Sequence, residues 1–386
     1  MPRESNEPDY KTMANALRFL AIDAVQAANS GHPGMPMGMA DVDTVLFGKY
    51  LKFDPQNPAW ADRDRFILSA GHGSMLLYGL LYLTGYEKMT LEQIKNFRQL
   101  HHLTPGHPEV THDCGIETTT GPLGQGISNA AGFALAERIL NARFGNDLVD
   151  HYTYVIASDG DLMEGISHEA CALAGHLKLS KLIVLYDDNG ISIDGPTSLS
   201  YSDDVLKRFE SYGWDAQVID GHNHAEITDA IAKARASGKP SIICCKTHIG
   251  FGSPNKQDTS DSHGSPLGDD EIKATRENLG WEHEPFVIPE DVMDWWRMVG
   301  ERSSSDFAEW QNNLEQNRYR KQFEEILDGD VELIIQPVIE KVKQGFSADK
   351  PSVATRKASG MVLDELVPAL PFMIGGSADP MASACR

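Results

Sequence analysis

The chain has 386 residues, a length that predicts two or three domains. Its 34 Lys and Arg residues face 56 Asp and Glu residues, so the formal net charge is −22 at pH 7. Phosphate backbones and anionic lipid surfaces repel such a chain, which argues against nucleic acid and membranes as partners. The hydrophobic fraction of 41% supplies enough apolar material for a folded core.

The cysteines and the first residues favour a reduced, cytoplasmic protein. The five cysteines are too few and too irregularly spaced for a disulfide framework or a zinc site. The adjacent Cys244 and Cys245 lie in an apolar run that is typical of a buried strand. The polar N-terminal segment lacks the apolar stretch of a secretory signal, and no stretch approaches the ~18 apolar residues that a membrane helix needs.

Short apolar runs alternate with helical patterns along most of the chain. The runs predict strands in the segments 65–73, 152–157, 182–186, 214–220 and 240–247. Helical patterns follow in the segments 74–86, 165–179 and 223–238. This alternation predicts an α/β fold, a doubly wound parallel sheet with helices on both faces. The strand ends then meet at one edge, where ligands of open α/β sheets bind.

The composition changes in the last quarter of the chain. Residues 284–349 are rich in Glu, Gln, Arg and Trp and predict linking helices. Residues 354–370 predict an amphipathic helix, and residues 371–379 predict a strand that runs into a glycine turn. Because one helix and one strand cannot bury their apolar faces alone, we expect residues 350–386 to be the start of a further domain.

Polar residues follow two neighbouring strands. Asp159 and Gly160 follow the run 152–157, and Asn189 follows the run 182–186. Carboxylate and amide oxygens at adjacent strand ends suit Mg²⁺ or Ca²⁺. Gly160 lets the backbone approach closely, and the helix that follows can receive a phosphate at its N-terminus. The pattern predicts a metal-bridged diphosphate site, although Asp-Gly and Asn-Gly also form ordinary turns.

Glycines mark two further features. The segment 121–126, Gly-Pro-Leu-Gly-Gln-Gly, opens an apolar helix and indicates either backbone pressed against a ligand or a tight helix entry. Four histidines lie in loops with a glycine within two residues: His32, His72, His107 and His263. Such histidines can donate to phosphates or hydroxyls and exchange protons near pH 7. One alone would be unremarkable, but four in similar settings favour a site.

The motifs occur in a characteristic order. It runs MANALRFLAIDAVQAANSGHPGMPMG, SAGHGSMLLYGLLYLTGY, TPGHPE, TTTGPLGQGISNA, SDGDLMEGISHEA, DDNGISIDG, GFGSPNK with DSHGSPLG, ATRKAS and GGSAD. Together these motifs resemble the transketolase family of thiamine-diphosphate enzymes over nearly the whole chain. So many ordered motifs are far more specific than any one of them.

The resemblance implies a thiamine-diphosphate-binding α/β fold in three parts. Residues 1–283 would form the diphosphate-binding domain, residues 284–349 a helical linker, and residues 350–386 the truncated start of a pyrimidine-binding domain with an atypical tail. It also implies that a two-carbon ketol unit passes from a ketose phosphate to an aldose phosphate through a thiamine-diphosphate carbanion, as in the pentose phosphate pathway and the Calvin cycle. The full-length protein would be a homodimer.

Site residues follow from the same resemblance. Asp159, Asn189 and the backbone carbonyl of Ile191 would hold Mg²⁺, for which Ca²⁺ or Mn²⁺ can substitute. Asn189 would also contact the cofactor, and Gly160, His72 and His263 would bind its diphosphate. Gly121 and Leu123 would contact the cofactor rings. Asp379 would contact the cofactor across the dimer interface, and Glu164 would link the two active sites through that interface. The resemblance implies that His32, His107 and His263 are catalytic and shuttle protons among the sugar hydroxyls. Arg356 would bind the substrate phosphate, a role that suits its planar fork.

Two departures from the family pattern bear on activity. Ser158 stands at the first glycine of the usual Gly-Asp-Gly, ahead of the expected metal ligand. Residues 380–386 differ from the family's continuation after Asp379. The resemblance assigns the glutamate that makes the cofactor amino group basic to the rest of the pyrimidine-binding domain. We therefore expect that this chain does not turn over substrate alone.

Alternative interpretations remain open. The chain could be a transketolase portion, a split subunit completed by a separate chain, or a non-catalytic protein that pairs with full-length subunits and blocks their sites. A split subunit is disfavoured because the chain runs past the linker into the next domain. Dihydroxyacetone synthase and 1-deoxyxylulose-5-phosphate synthase share the metal corner but not the full set of histidine motifs.

Overall fold

The computed structural model describes residues 9–370 and 372–376. The chain divides into two compact units, one up to Asn313 and one from Leu314. The finer division at residues 283 and 349 stays a prediction. Across the described residues, no helix is both long and apolar enough to cross a membrane.

The first unit contains a parallel five-stranded sheet. Its strands are β1 (Arg65–Leu68), β2 (Thr153–Ser158), β3 (Leu182–Asp188), β6 (Asp215–Asp220) and β7 (Ser241–Lys246), in the order β1-β2-β3-β7-β6. Two short strands, β4 (Ile191–Ser192) and β5 (Gly195–Pro196), form an antiparallel hairpin. All five predicted apolar runs therefore form strands, and the predicted parallel sheet is confirmed.

Helices precede, separate and follow these strands. They are α1 (Tyr10–Ala28), α2 (Gly34–Val45), α3 (Ser74–Thr84), α4 (Leu91–Lys95), α5 (Gln125–Phe144), α6 (Asp159–Met163), α7 (Gly165–His176), α8 (Val205–Ser211), α9 (His224–Ala236), α10 (Asp269–Leu279), α11 (Glu290–Glu301) and α12 (Ser304–Gln316). The three helical patterns predicted between the strands correspond to α3, α7 and α9.

The inner strands β2, β3 and β7 are buried on both faces of the sheet. Successive side chains of a strand point to opposite faces, so they enter two separate cores. Ile156 packs in a core with residues of α1, α2 and α3, whereas Val155 packs in a second core with residues of α5 and α7. Cys245 and Cys244 likewise belong to opposite cores, and both are buried. The prediction that this cysteine pair lies in a buried strand is confirmed.

The second unit is helical in its described part. It contains α13 (Arg320–Asp328), α14 (Val331–Asp349) and α15 (Thr355–Ala369), and Lys341 of α14 pairs with Glu365 of α15 at 2.6 Å. The helix predicted over residues 354–370 is confirmed. The strand predicted over residues 371–379 is wrong for residues 372–376, which form no strand. The described part of this unit holds no strand whose backbone could pair with that segment; residues 371 and 377–379 lie outside the described residues.

The sheet also fixes where the predicted site residues fall. Ser158, the last residue of β2, pairs in register with Asp187 of β3. The segments that follow these two strands therefore leave the sheet side by side at its carboxyl edge.

Candidate active site

A buried carboxylate, Asp161, joins three segments at the carboxyl edge of the sheet. Its Oδ1 accepts hydrogen bonds from the Ser69 hydroxyl and the Gly124 N–H, both at 2.8 Å. Its Oδ2 accepts from the N–H and the hydroxyl of Ser158, at 3.0 and 3.2 Å. Burial raises the pKa of Asp161, although these donors act to lower it. The ends of β1 and β2 and the glycine-rich loop are thus held by one side chain.

Asp159 forms an acidic corner with the residues that end β3. It is 5% exposed, and its Oδ1 accepts a hydrogen bond from the Tyr186 hydroxyl. Burial raises the pKa of Asp159 to about 6; the Tyr186 hydrogen bond opposes this rise and the charge of Asp188 adds to it. Burial also raises the pKa of Asp187 to about 7. The Lys246 ammonium pairs with Asp188 at 2.6 Å, so this corner holds three carboxyl groups beside one positively charged side chain.

Asn189 and Ile191 complete this corner. Asn189 donates through Nδ2 to Asp187 at 2.8 Å, and its Oδ1 accepts from the Ile191 N–H at 2.9 Å. Oxygen donors with an excess of buried negative charge suit a hard divalent cation. In the described part of the chain, no three His, Cys, Asp or Glu side chains form a metal-binding group. The predicted set needs only one such side chain, Asp159, beside an amide and a backbone carbonyl.

The glycine-rich loop contacts both this corner and a histidine. A Cβ on Gly160 would lie 2.8 Å from the Leu123 side chain, and a Cβ on Gly71 would lie 2.8 Å from the Gly121 nitrogen. Gly121 itself has a φ of +144°, and a Cβ there would lie 3.2 Å from the His107 ring. Glycine is required at this position because other residues rarely adopt that φ. Leu123 and His107 therefore pack directly against glycine backbone.

The four glycine-flanked histidines come together. The ring centroid of His32 lies 5.3 Å from that of His72, 5.7 Å from that of His263 and 6.4 Å from that of His107. The rings of His72 and His263 stack at 5.2 Å. Residues separated by more than 200 positions in sequence thus form one cluster.

Burial keeps this cluster neutral. It lowers the pKa of His32 to about 4 and that of His72 to about 3, and neighbouring histidines contribute to both shifts. It also lowers the pKa values of His107 and His263. All four rings are therefore uncharged at pH 7, and each offers one donor and one acceptor nitrogen.

Arg98 belongs to this cluster although no sequence motif marks it. Its Nη1 donates to the Ser30 hydroxyl at 2.7 Å, and its Nη2 lies 3.3 Å from Nδ1 of His32. A guanidinium can only donate, so Nδ1 of His32 accepts and the ring proton sits on Nε2. Arg98 thus sets the tautomer of His32. No local pattern could have indicated this role, because the contact joins residues 66 positions apart.

The remaining predicted site residues lie in different places. Glu164 is exposed between α6 and α7, beside Gly124. Arg356 is exposed in the first turn of α15 and belongs to the second unit. Asp379 lies outside the described residues.

Comparisons with known proteins identify the class. Residues 10–331 match the family described as the thiamine diphosphate binding domain of transketolase. The transketolase of Cereibacter sphaeroides is 56% identical over 95% of this chain, and transketolase 1 of Escherichia coli is 53% identical over 96%. The matches cover 56% and 57% of those relatives, so the chain spans little more than half their length.

Solved structures agree with this result. The crystal structure of Campylobacter jejuni transketolase has a TM-score of 0.87 and 42% identity, and the match covers 97% of this chain and 58% of that one. The Pichia stipitis transketolase in complex with sedoheptulose-7-phosphate has a TM-score of 0.83 and 40% identity, over 96% of this chain and 56% of that one. The chain therefore belongs to the transketolase family, and the predicted thiamine-diphosphate-binding α/β fold is confirmed.

Replacing Asp161 by Asn should destabilise the first unit. The asparagine side chain replaces one carboxylate oxygen by an NH2 group, which cannot accept, so two of the four donors lose their acceptor. We therefore expect the free energy of unfolding to fall by about 2–4 kcal/mol. Chemical denaturation of both proteins measures this change. Asp147→Asn, at an exposed carboxylate, serves as the matched control and should change stability by less than about 0.5 kcal/mol. Equal stabilities of the two variants would contradict the role assigned to Asp161.

The neutral histidines should contribute a loss of stability in acid, whereas Asp159 and Asp187, whose pKa values are raised, contribute the opposite. Between about pH 6.5 and pH 4, His72 takes up a proton in the unfolded chain but not in the folded one, because burial holds its pKa at about 3. Each such histidine makes the free energy of unfolding fall by up to about 1.4 kcal/mol for each pH unit of acidification.

Denaturation at several pH values tests this expectation. His72→Gln should lower by up to one the number of protons that the chain takes up on unfolding in this range, whereas His176→Gln, at an exposed histidine of α7, should leave that number unchanged. An unchanged slope for His72→Gln would show that His72 is protonated in the folded protein.

Proposed function

We propose that this chain supplies the diphosphate-binding part of a transketolase, which transfers a two-carbon ketol unit from a ketose phosphate to an aldose phosphate with thiamine diphosphate and Mg²⁺. The observation that carries the proposal is the cluster of four neutral histidines beside the glycine-rich loop, which itself contacts Gly160. Membership of the transketolase family supports it. Sugar phosphates as substrates accord with the sedoheptulose-7-phosphate named for the Pichia stipitis structure.

The acidic corner fits the divalent cation. Asp159, Asn189 and the Ile191 carbonyl would hold Mg²⁺, with Ca²⁺ or Mn²⁺ as substitutes. Burial raises the pKa of Asp159, and excess negative charge at this corner favours a cation over water. The donor set contains only hard oxygen ligands, as these ions prefer.

The residues around Gly160 fit the cofactor. A Cβ on Gly160 would lie 2.8 Å from the Leu123 side chain, so glycine lets Leu123 pack directly against the backbone whose N–H would donate to a diphosphate oxygen. His72 and His263 would donate to the same group, while Gly121 and Leu123 would face the cofactor rings. Glu164 and Asp379 would act where two copies of the site meet. When bound, thiamine diphosphate supplies the carbon nucleophile for the two-carbon unit.

The histidines would handle the substrate. His32, His107 and His263 are neutral at pH 7. His107 and His263 can each donate to one sugar hydroxyl and accept from another, whereas His32 can donate through Nε2 because its Nδ1 accepts from Arg98. Neutral rings that exchange these roles can move a proton between hydroxyls without placing a charge in a buried site. Arg356 would bind the substrate phosphate.

We also propose that the full-length protein is a homodimer in the cytoplasm. The apolar side chains of Ile166 and Leu173 are 39% and 52% exposed and lie seven residues apart on one face of α7. A second copy that covers this face would remove apolar surface from water.

Cofactor binding tests the proposal. The chain should bind thiamine diphosphate in the presence of Mg²⁺, measured by calorimetric titration, and excess chelator should abolish the binding. Asp159→Asn should weaken this binding by about tenfold or more, because it removes the charged side chain from the three proposed protein ligands of the metal. Asp194→Asn, at an exposed aspartate in the turn of the neighbouring hairpin, is the control and should bind normally. Equal binding by both variants would overturn the site.

The expectation that these 386 residues do not turn over substrate alone stays a prediction with its own assay. The purified chain receives thiamine diphosphate, Mg²⁺, a ketose phosphate and an aldose phosphate, and product is followed by a coupled reaction. We expect cofactor binding without turnover. Turnover would contradict this expectation and support the transketolase activity. Co-purification with full-length subunits would favour the non-catalytic partner instead.

A further inference from the structure

A seam outside the proposed site joins α2 to the loop that carries His263. This loop, residues 247–263, follows β7. Gly34, Gly38 and Asp41 lie at positions i, i+4 and i+7 of α2, so they form one stripe along the helix. Cβ atoms on Gly34 and Gly38 would lie 2.5 Å from the Ser262 carbonyl oxygen and 2.9 Å from the His248 carbonyl oxygen. The loop therefore lies directly on the backbone of α2.

Asp41 ends this stripe and binds two histidines. Asp41 is 4% exposed, and its Oδ2 accepts from the buried guanidinium of Arg18. Nδ1 of His222 lies 2.8 Å from Oδ2, and Nε2 of His224 lies 2.8 Å from Oδ1. Burial alone would raise the pKa of Asp41, but Arg18 and the two histidines hold it well below its usual range. Asp41 is therefore an ionised acceptor for both histidines.

The second ring nitrogen of His222 reaches the 247–263 loop. The backbone N–H of His248 donates to Nε2 of His222 at 3.2 Å. Because Nε2 accepts, the ring proton sits on Nδ1, where it is donated to Asp41. The ring also stacks on Phe251 of the same loop, with centroids 4.0 Å apart. His222 thus bridges α2 and the loop in a single tautomer.

The loop is closed on itself, so this bridge extends to His263. Asp258 donates its N–H to the Ile249 carbonyl, and Gly250 donates to the Gly34 carbonyl, both at 3.0 Å. A Cβ on Gly250 would lie 2.7 Å from the Ser262 side chain, so the beginning and end of the loop are packed together. A shift at residues 248–250 therefore displaces Ser262 and the adjacent His263.

We propose that His222 is a positioning residue, which holds the 247–263 loop against α2 and thereby sets the distance between His263 and His32. The two rings lie at opposite sides of this seam, with centroids 5.7 Å apart. The effect of His222 on catalysis rests on the function proposed above for His263, whereas the anchoring itself does not.

The chain offers a matched control. His224 makes a bond of the same length to the same carboxylate and packs against Tyr10, 5.9 Å away, rather than the loop. His222→Phe keeps an aromatic ring beside Phe251 but loses both hydrogen bonds. His224→Phe removes an equivalent bond to Asp41 and leaves the bridge. His222→Gln retains an oxygen that can accept from the His248 N–H, and so provides the conservative rescue.

Hydrogen exchange of the full chain, read on peptides that cover residues 248–263, tests the proposal. We expect His222→Phe to lower the protection of these amides by about tenfold, the loss that one hydrogen bond predicts. His224→Phe should leave them protected, and His222→Gln should restore most of the protection. Equal protection in His222→Phe and His224→Phe would overturn the anchoring role.

Nitrogen NMR of the imidazoles supplies a second test that does not depend on a variant folding. In the unmodified chain, Nδ1 of His222 should be protonated and Nε2 should not; a proton on Nε2 at pH 7 would overturn the proposal. The His263 ring signals should shift in His222→Phe and stay in place in His224→Phe. Both experiments are free of cofactor, so their failure is distinct from a failure of the thiamine diphosphate titration.

Discussion

The carboxylate of Asp161 is the constraint on which the candidate site depends. It accepts four hydrogen bonds from Ser69, Gly124 and Ser158, which come from the ends of two strands and from the glycine-rich loop. Leaving such donors unpaired in the interior costs about 1–3 kcal/mol each. The loop that carries Leu123 and the turn that carries Gly160 therefore keep a fixed relation, and their backbones can form one surface for a ligand.

Burial then divides the site into two electrostatic parts. At the corner around Asp159 it raises carboxyl pKa values, and in the histidine cluster it lowers imidazole pKa values. The first part favours a cation, and the second offers neutral donors and acceptors. An anionic cofactor meets a chain with a net charge of −22, so its binding must come from such local groups rather than from the overall field.

The sequence predicted those parts of the fold and site that local patterns encode. The apolar runs became the strands, and glycine neighbours marked the four histidines. Arg98, Tyr186 and His222 escaped prediction, because each acts through a partner 66, 27 or 181 positions away. The strand expected after residue 370 failed in its described part, since an apolar run becomes a strand only beside a partner.

The most direct measurement is a crystal structure of this chain with thiamine diphosphate and Mg²⁺. The account predicts the metal on Asp159, Asn189 and the Ile191 carbonyl, with a diphosphate oxygen within hydrogen-bonding distance of the Gly160 N–H. It also predicts that the four hydrogen bonds of Asp161 are retained. A metal held by other residues, or a cofactor bound away from Gly160 and Leu123, would contradict the account.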